Sequence, residues 1–519
     1  MMARGVLLLG TIAALGGCVG TPVTRVTPAP PNQVSIAVEC RQFFARLDRA
    51  IKRAKVADTQ AVRVAGFPYV RANRFLASFR DQVAEPEAFT AWLDRLQLLA
   101  EQGYAVEIAN LPRPQREALR LSVPIVRHGA LMDSVRGCSE HLRSEDVAQR
   151  ATRETLRAAV RVPGEYVAWQ RAVGLYFLTA NATQSGIRKW HAQVHEVYAQ
   201  PLAQRPVYGQ LVRYVPPPGA PALTPSEISE ILQRSAQNAL HIPEPTAAER
   251  EQLFATFAPL WQIDTVSEDD RLGMPFWPSH DAKQPDVDVR NAAVYRHWSH
   301  TRFDGAVLLQ LNYIVWFRSR PKTSGADYLG GHLDGIMWRI TLAQDGRPLV
   351  FDTSHNCGCY QMYFPSPQLR LRRIPQTPEN DAEELPLIPQ MAPTLHRGQR
   401  PTLRIAHRTH YIERLTSEPR GADRIVTYRW LDYAHLRSLA LGNGEHRSLF
   451  RPDGIVPGTQ RGERFFFWPM GVPHPGEMRQ WGHHAIAFVG RRHFDDPYLM
   501  EQIFSPPVAT GARSTPPHK

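Results

Sequence analysis

Apolar positions change their period part-way along this 519-residue chain. From Ile36 to about Trp261 they recur every three or four residues, the spacing that gathers them on one face of a helix. Ile36, Cys40, Phe43, Phe44, Leu47 and Ile51 form one such stripe. Phe89, Trp92, Leu93, Leu96 and Leu99 form a second, which Gly103 is expected to end as a C-terminal cap. "EYVAWQRAVGLYFL" and "IRKWHAQVHEVY" read as two further helices. Two more are announced by capping boxes, Thr224-Pro225-Ser226-Glu227 before "ISEILQRSAQNAL" and Thr246-Ala247-Ala248-Glu249 before "REQLFATF". No repeat with a period of about 20 to 50 residues is recognisable, which excludes a solenoid.

Beyond "SEDDRLGMPFWPSHDAKQPDVDV", rich in Pro and Asp, the apolar runs shorten and strands dominate. "GAVLLQLNYIVWF" reads as a long buried strand, and "GIMWRITLAQDGRPLVFDTS" as a hairpin turning near Asp345-Gly346. "LRIAHRTHYIERL", "DRIVTYRW", "RFFFW" and "HHAIAFVG" are the remaining strand candidates, and an acidic, Pro-rich insertion at 374–394 reads as a surface loop. The expected fold class is α+β: a helical N-terminal domain at 35–261, a boundary loop at 262–290, and at 291–505 a domain built on a mainly antiparallel sheet, with a disordered tail at 506–519.

The N-terminus changes the setting of the whole chain. One positive charge at Arg4 precedes an apolar run from Val6 to Leu15, too short for a membrane span of about 20 residues and of the right length for a signal-peptide core. The run ends in Leu15-Gly16-Gly17-Cys18, which resembles the lipobox of bacterial lipoproteins. That resemblance, carried by roughly the first twenty residues, implies cleavage after residue 17 and acylation of Cys18. Val19 follows, where an aspartate would direct retention at the inner membrane, so sorting to the outer membrane, facing the periplasm, is expected. Residues 18–34, rich in Thr and Pro, read as an extended tether. "QLNYIVWF" and "HNCGCYQMYF" resemble at most uncharacterised bacterial lipoproteins, which implies no activity.

Export bears on charge and on cysteine. The formal net charge is +12, which a cleaved signal containing Arg4 would lower by one. Outside the cytoplasm a basic surface meets lipid headgroups, anionic envelope polymers or envelope proteins rather than nucleic acid. Of five cysteines, an acylated Cys18 leaves Cys40, Cys138, Cys357 and Cys359 to pair by oxidation. Cys40 and Cys138 share the helical half, and a bridge between them would close a loop of about a hundred residues, contributing on the order of 4 to 5 kcal/mol. Cys357 and Cys359 remain, open to three readings: a strained staple, two ligands of a zinc or copper ion, or a redox pair.

Fifteen of the twenty histidines lie beyond residue 250, so candidate chemistry concentrates in the C-terminal half. His355, Cys357 and Cys359 alternate and would face one side of an extended segment, with a further metal ligand available from His332, His410 or His484. "RRHFDDP" offers Arg492, His493 and Asp495 as candidate catalytic residues, against the plainer reading of an ion-pair cluster. "HWSHTRFDG" adds His297, His300 and Asp304; "GGHLDG" adds His332 and Asp334. In "IAHRTHYIE" strand alternation would separate His407 from His410. His191 and His195 lie four apart, but Ala192 stands where a zinc peptidase carries its glutamate, so a solvated helix face is expected. The absence of a Gly-x-Ser-x-Gly elbow, a phosphate loop and a dinucleotide fingerprint demotes serine hydrolases, nucleotidyl transfer and nicotinamide redox. Two function classes remain: an outer-membrane-anchored lipoprotein with a binding or structural role in the envelope, and a metal-dependent envelope hydrolase.

Overall fold

The computed structural model describes residues 35–122, 130–372, 383–419 and 421–506. The signal peptide and tether, nearly all of the tail and part of the acidic insertion lie outside the described residues. The α+β class is as expected.

The first unit is helical. α1 (Ile36–Ala54) buries Cys40, Phe43, Phe44, Leu47 and Ile51, while Ile36 at its start stays exposed. It packs with α2 (Pro86–Asn110) and α3 (Leu131–Ala148) around a short hairpin, Val62–Val64 with Phe67–Ala72. The expected Cys40–Cys138 disulfide joins α1 to α3, with its Cα atoms 5.1 Å apart.

Gly103 does not end its helix; α2 runs through it to Asn110. A Cβ at this position would lie 2.3 Å from Nη1 of Arg71, so the glycine makes room for a guanidinium rather than for a turn. Arg71 is fully buried and donates to Glu107, also fully buried, at 2.6 Å. A buried charge is tolerated because it is paired at once.

Three further labelled helices follow along the chain. The two segments read as helices do form two, a short one at Ala168–Val173 and α4 (Tyr176–Ala199), which buries only Ala180, Gln184, Val194 and Tyr198. In α5 (Pro225–Ser235) and α6 (Ala247–Thr256) both capping boxes form, Thr224 accepting from the Glu227 N–H and Thr246 from that of Glu249.

The second unit is a sandwich of two sheets, and it begins earlier than its expected boundary. β1 (Gln210–Val215) and β2 (Leu260–Thr265) already belong to it, so residues 35–261 are not all helical and 262–290 is not a free linker. β1 was hidden because it is short and followed by prolines, with only Val212 and Tyr214 facing inward. The larger sheet contains β3 (Ala293–Phe303), β4 (Ala306–Arg320), β5 (Gly331–Leu342), β6 (Pro348–His355), β7 (Met362–Pro365) and β11 (Arg429–Asp432) in the order β7-β6-β5-β4-β3-β11. The smaller one adds β8 (Thr402–Ile405), β9 (Ile412–Thr416) and β10 (Arg424–Thr427) in the order β9-β8-β2-β1-β10. All ladders of the larger sheet are antiparallel except β3 with β11; in the smaller sheet β2 with β8 and β1 with β10 are parallel.

β4 is mostly apolar from Val307 to Phe317, interrupted by Gln310 and Asn312, because both its faces are covered. Leu309, Leu311, Tyr313, Val315 and Phe317 point between the sheets, where they meet Trp261, Ile263 and Leu403. Leu308, Ile314 and Trp316 point to the other side, under Leu436, Val456 and Phe494 from the C-terminal segment. That segment is not stranded as expected. "RFFFW" forms a helical turn over Arg464–Phe467, and in "HHAIAFVG" Ala485 makes only an isolated bridge to His493. Aromatic runs favour strands when a partner edge is present. Here the backbone closes on itself instead, Phe466 and Phe467 N–H both donating to the Glu463 carbonyl.

Candidate functional site

One end of the sandwich gathers ionisable side chains from five separate segments. β4 ends at Arg320, β5 carries Asp334 near its start, and β6 ends at His355. The turn between β8 and β9 supplies His410 and Tyr411, and a 3-10 turn after β2, Glu268–Asp270, supplies Asp270. Strand register places Phe317 directly opposite Asp334.

Asp334 is the hub. Its Oδ2 receives His410 Nδ1 at 2.8 Å, and its Oδ1 receives His355 Nδ1 at 3.3 Å and the Gly335 N–H at 2.9 Å. On its far side His410 Nε2 approaches Asp270 Oδ1 at 3.5 Å, an ion pair off the line of a hydrogen bond. Asp270 is fixed by the N–H groups of Val266 and Ser267, both at 3.0 Å, and by that of Arg408. All four side chains are buried.

Their protonation follows from that arrangement. Burial alone would raise the Asp334 pKa, but His355 and His410 hold it well below the usual carboxylate range. Burial alone would lower that of His410; the carboxylates of Asp270 and Asp334 outweigh it and push it up. For His355 burial wins over Asp334, and Arg320 adds to the same effect, so its pKa is lowered. Two histidines sharing one carboxylate are thus shifted in opposite directions.

An aromatic wall surrounds His355. Tyr360 lies 5.0 Å and Tyr411 5.8 Å from its ring centroid, with 4.7 Å between the two tyrosines and Trp190 of α4 at 5.4 Å from Tyr360. Arg320 donates to the Tyr411 hydroxyl at 3.1 Å and sits over both tyrosine rings. Tyr360 donates to Glu463 at 3.4 Å, whose own pKa burial pushes up to about 7.

The backbone here is held in an uncommon conformation. Among the described residues nine non-glycine residues have positive φ, and Leu333, Tyr360, Arg408 and His410 are four of them. Each costs on the order of 1 to 3 kcal/mol and persists only where its surroundings over-determine it. Such strain concentrates at functional sites.

The expected ligand segment "HNCGC" does not lie flat along a strand. β6 ends at His355, and the chain turns back so that the Gly358 N–H donates to the His355 carbonyl and the His355 N–H to that of Cys359. Gly358 has φ +93°, and a Cβ there would lie 2.4 Å from the Ala485 carbonyl oxygen. The expected Cys357–Cys359 staple is not formed: both are free cysteines, and Cys357 Sγ accepts from the Cys359 N–H at 3.4 Å. His484 is engaged with the Asn356 carbonyl at 3.2 Å. His355, His410, Cys357, Cys359 and His484 are therefore neighbours along folded segments, but among the described residues no three His, Cys, Asp or Glu side chains are grouped to hold a metal ion.

The "RRHFDDP" residues lie elsewhere, at the seam between the two units. Asp495 makes a bidentate pair with Arg74 at 2.9 Å, and His493 Nε2 accepts from the Glu165 N–H at 3.0 Å, which keeps the ring neutral with its pKa lowered to about 3 by burial and by Arg74. Arg492 is buried and its N–H donates to the Tyr166 hydroxyl. This is the ion-pair reading. Beside it a cavity of about 180 Å³ is lined by His297, Trp298, His300, Trp481 and Asp495. His300 is stacked on Phe75 and bonded to the Pro243 carbonyl at 2.8 Å; His332 is bonded to that of Pro285 at 2.6 Å. His195 is exposed on α4, while His191 is half-buried with its pKa lowered to about 4. His407 and His410 are separated by a turn rather than by strand alternation, and only His410 is buried.

A second feature is on the outside. The short helix Ala168–Val173, the start of α4 and the turn at Arg464–Phe467 lie side by side: the Val167 N–H donates to the Gly471 carbonyl at 2.7 Å, Gly174 packs on Pro469, and Phe467 stacks on Phe488. Trp169, Val173, Phe177, Leu178, Phe465 and Phe466 on these segments are each 59% to 71% exposed. Trp169, Val173, Phe177 and Leu178 fall in the segment that reads as a helix in the sequence, and Phe465 and Phe466 in one that reads as a strand. No family model, curated protein or solved structure matches the chain.

Proposed function

We propose that the protein is a lipid-anchored component of the cell envelope with a binding role, held at the outer membrane through acylated Cys18 and lying with its aromatic patch against the bilayer. The observation that carries this reading is the clustering of six large, exposed apolar side chains on three adjacent segments. Scattered exposed leucines need no partner, but a contiguous patch does. Its composition suits the lipid–water interface, where Trp and Phe enter the headgroup boundary and basic side chains meet anionic lipids. Arg464 lies beside Phe465, and Arg188 and Lys189 are exposed further along α4. The stretch from Cys18 to Ser35 spans at most about 60 Å when extended, which keeps the folded part within reach of the membrane that holds the anchor.

Flotation tests this. The chain from Val19 onward, mixed with vesicles of phosphatidylethanolamine and phosphatidylglycerol, is expected to float with them, and F177S combined with F465S and F466S is expected to stay behind. Flotation indifferent to those changes, or none in wild type, would sink the reading. Capture of an envelope polymer or protein instead, lost with the same substitutions, would assign the patch another occupant.

A further inference from the structure

α4 has two ends of different character. Its first turn contributes Phe177 and Leu178 to the exposed patch, while Trp190 and Val194 lie over the Asp334 cluster. Beneath them is a small cavity of about 10 Å³ reached by Trp190, His355, Tyr360, Met362 and Tyr411. That volume holds about one water molecule.

We propose that this space is an acid–base site that hydrolyses acyl esters, in which His355 deprotonates the attacking water and Tyr411 donates to the ester carbonyl oxygen. His355 has the geometry of a poised base. Asp334 takes the Nδ1 proton into a hydrogen bond, which leaves Nε2 as the nitrogen that accepts, and burial lowers the pKa of the ring. Asp334 cannot turn away, because its other oxygen is occupied by His410 and its first also by the Gly335 N–H. Tyr411 is the complementary donor: Arg320 occupies its oxygen as a hydrogen-bond donor and polarises the hydroxyl, whose own proton is directed elsewhere.

Water is the nucleophile because the neighbouring hydroxyls are committed. Ser354 Oγ donates to the backbone carbonyls of His355 and Cys359, and Thr353 Oγ1 to that of Met337. Water passes a proton to His355 Nε2, and its oxygen forms a bond to the acyl carbon as the carbonyl electron pair moves onto the oxygen held by Tyr411. Collapse of that tetrahedral species breaks the ester C–O bond. The departing alkoxide takes the proton back from Nε2, leaving a carboxylic acid, an alcohol and neutral His355. The acyl group needs more room than one water, so Trp190 must swing aside. Its indole N–H is buried with no acceptor, and α4 is held by few buried side chains, so the cover is weakly fastened.

The test uses the soluble ester 4-nitrophenyl butyrate, so it does not depend on what the patch binds. The full chain is expected to release 4-nitrophenol at a rate that falls in acid as Nε2 protonates. H355Q, whose amide still donates to Asp334, should lose about a hundredfold or more, Y411F about tenfold, and W190A should gain severalfold. To guard against misfolding of H355Q, diethyl pyrocarbonate is applied to wild type with peptide mass mapping: carbethoxylation of His355 should advance in step with loss of activity. Hydrolysis unchanged in H355Q, activity that survives full modification of His355, or no turnover by either wild type or W190A would overturn the proposal.

Discussion

Phe317 and His410 lie face to face, their ring centroids 3.8 Å apart and their planes within 1° of parallel. With its pKa raised by Asp270 and Asp334, His410 presents a cation to the face of the phenyl ring. A group bound more tightly to its proton in the folded state favours folding most at low pH. The contribution of His410 is therefore complete below its ordinary value of 6.5 and is lost as pH rises through the raised folded value. H410Q is expected to destabilise the protein by on the order of 3 kcal/mol near pH 6, and by less near pH 9. Urea unfolding at the two pH values measures the difference; an equal loss at both would mean that His410 folds neutral.

His297 and His484 act in the opposite sense. Burial holds each neutral, with its pKa lowered to about 3 in the fold. The unfolded chain binds these protons near pH 6.5, so their support is present above that value and is lost as pH falls toward 3. Each tenfold drop in proton affinity is worth about 1.4 kcal/mol, and the same holds for the less fully buried His493 with some discount for solvent. Stability should therefore fall by several kcal/mol between pH 7 and pH 4, a decline that begins above the range in which ordinary carboxylates titrate. H297F, if its ring is accommodated against Trp481, should make that decline shallower; tracking Tm from pH 7 to 4 decides it.

The two cases show what kind of information the chain makes legible. Period and capping are local, so α1, α5, α6 and the β5–β6 hairpin could be read from a few adjacent residues. The Cys40–Cys138 pairing followed from where each cysteine lies. The Asp334 centre is assembled from segments between residues 270 and 463, and neither Asp270 nor Arg320 carries a local mark of its partner. His355, His410 and Asp334 could each be picked out as candidates, but not that the two histidines share that carboxylate. "RFFFW" failed in the other direction: aromatic residues on one short run look like a strand, yet they are exposed on a helical turn.

Gly103 gives a sharp structural prediction. In the middle of a helix Gly→Ala ordinarily stabilises by up to about 1 kcal/mol. At Gly103 the added methyl would stand 2.3 Å from the Arg71 guanidinium, which cannot swing into solvent because it is fully buried and held by Glu107. Disturbing a buried pair costs about 3 to 5 kcal/mol when one charge loses its partner. G103A should therefore destabilise by on the order of 3 kcal/mol, whereas G137A in α3, where an added Cβ meets nothing within 4 Å, should be neutral or stabilising. Chemical denaturation of the two variants side by side is sufficient, and a stable G103A would refute the packing.

The thiols supply the last test. Cys359 is held protonated, its pKa pushed well above 9.0 by its contact with Cys357 and by burial, and Cys357 lies in the core beneath the C-terminal segment. A thiol reagent attacks the thiolate, so both should react slowly in the native state. With Cys18 acylated and Cys40 bonded to Cys138, unfolding in denaturant without reductant should release two titratable thiols per chain. Zero under those conditions would restore the Cys357–Cys359 bridge that the spacing suggested. Two rapidly reacting thiols in the native protein would mean that the turn at Gly358 opens in solution. Elemental analysis of a sample purified without chelator belongs in the same experiment: stoichiometric zinc or copper that protects both thiols would return "HNCGC" to the role of a ligand segment.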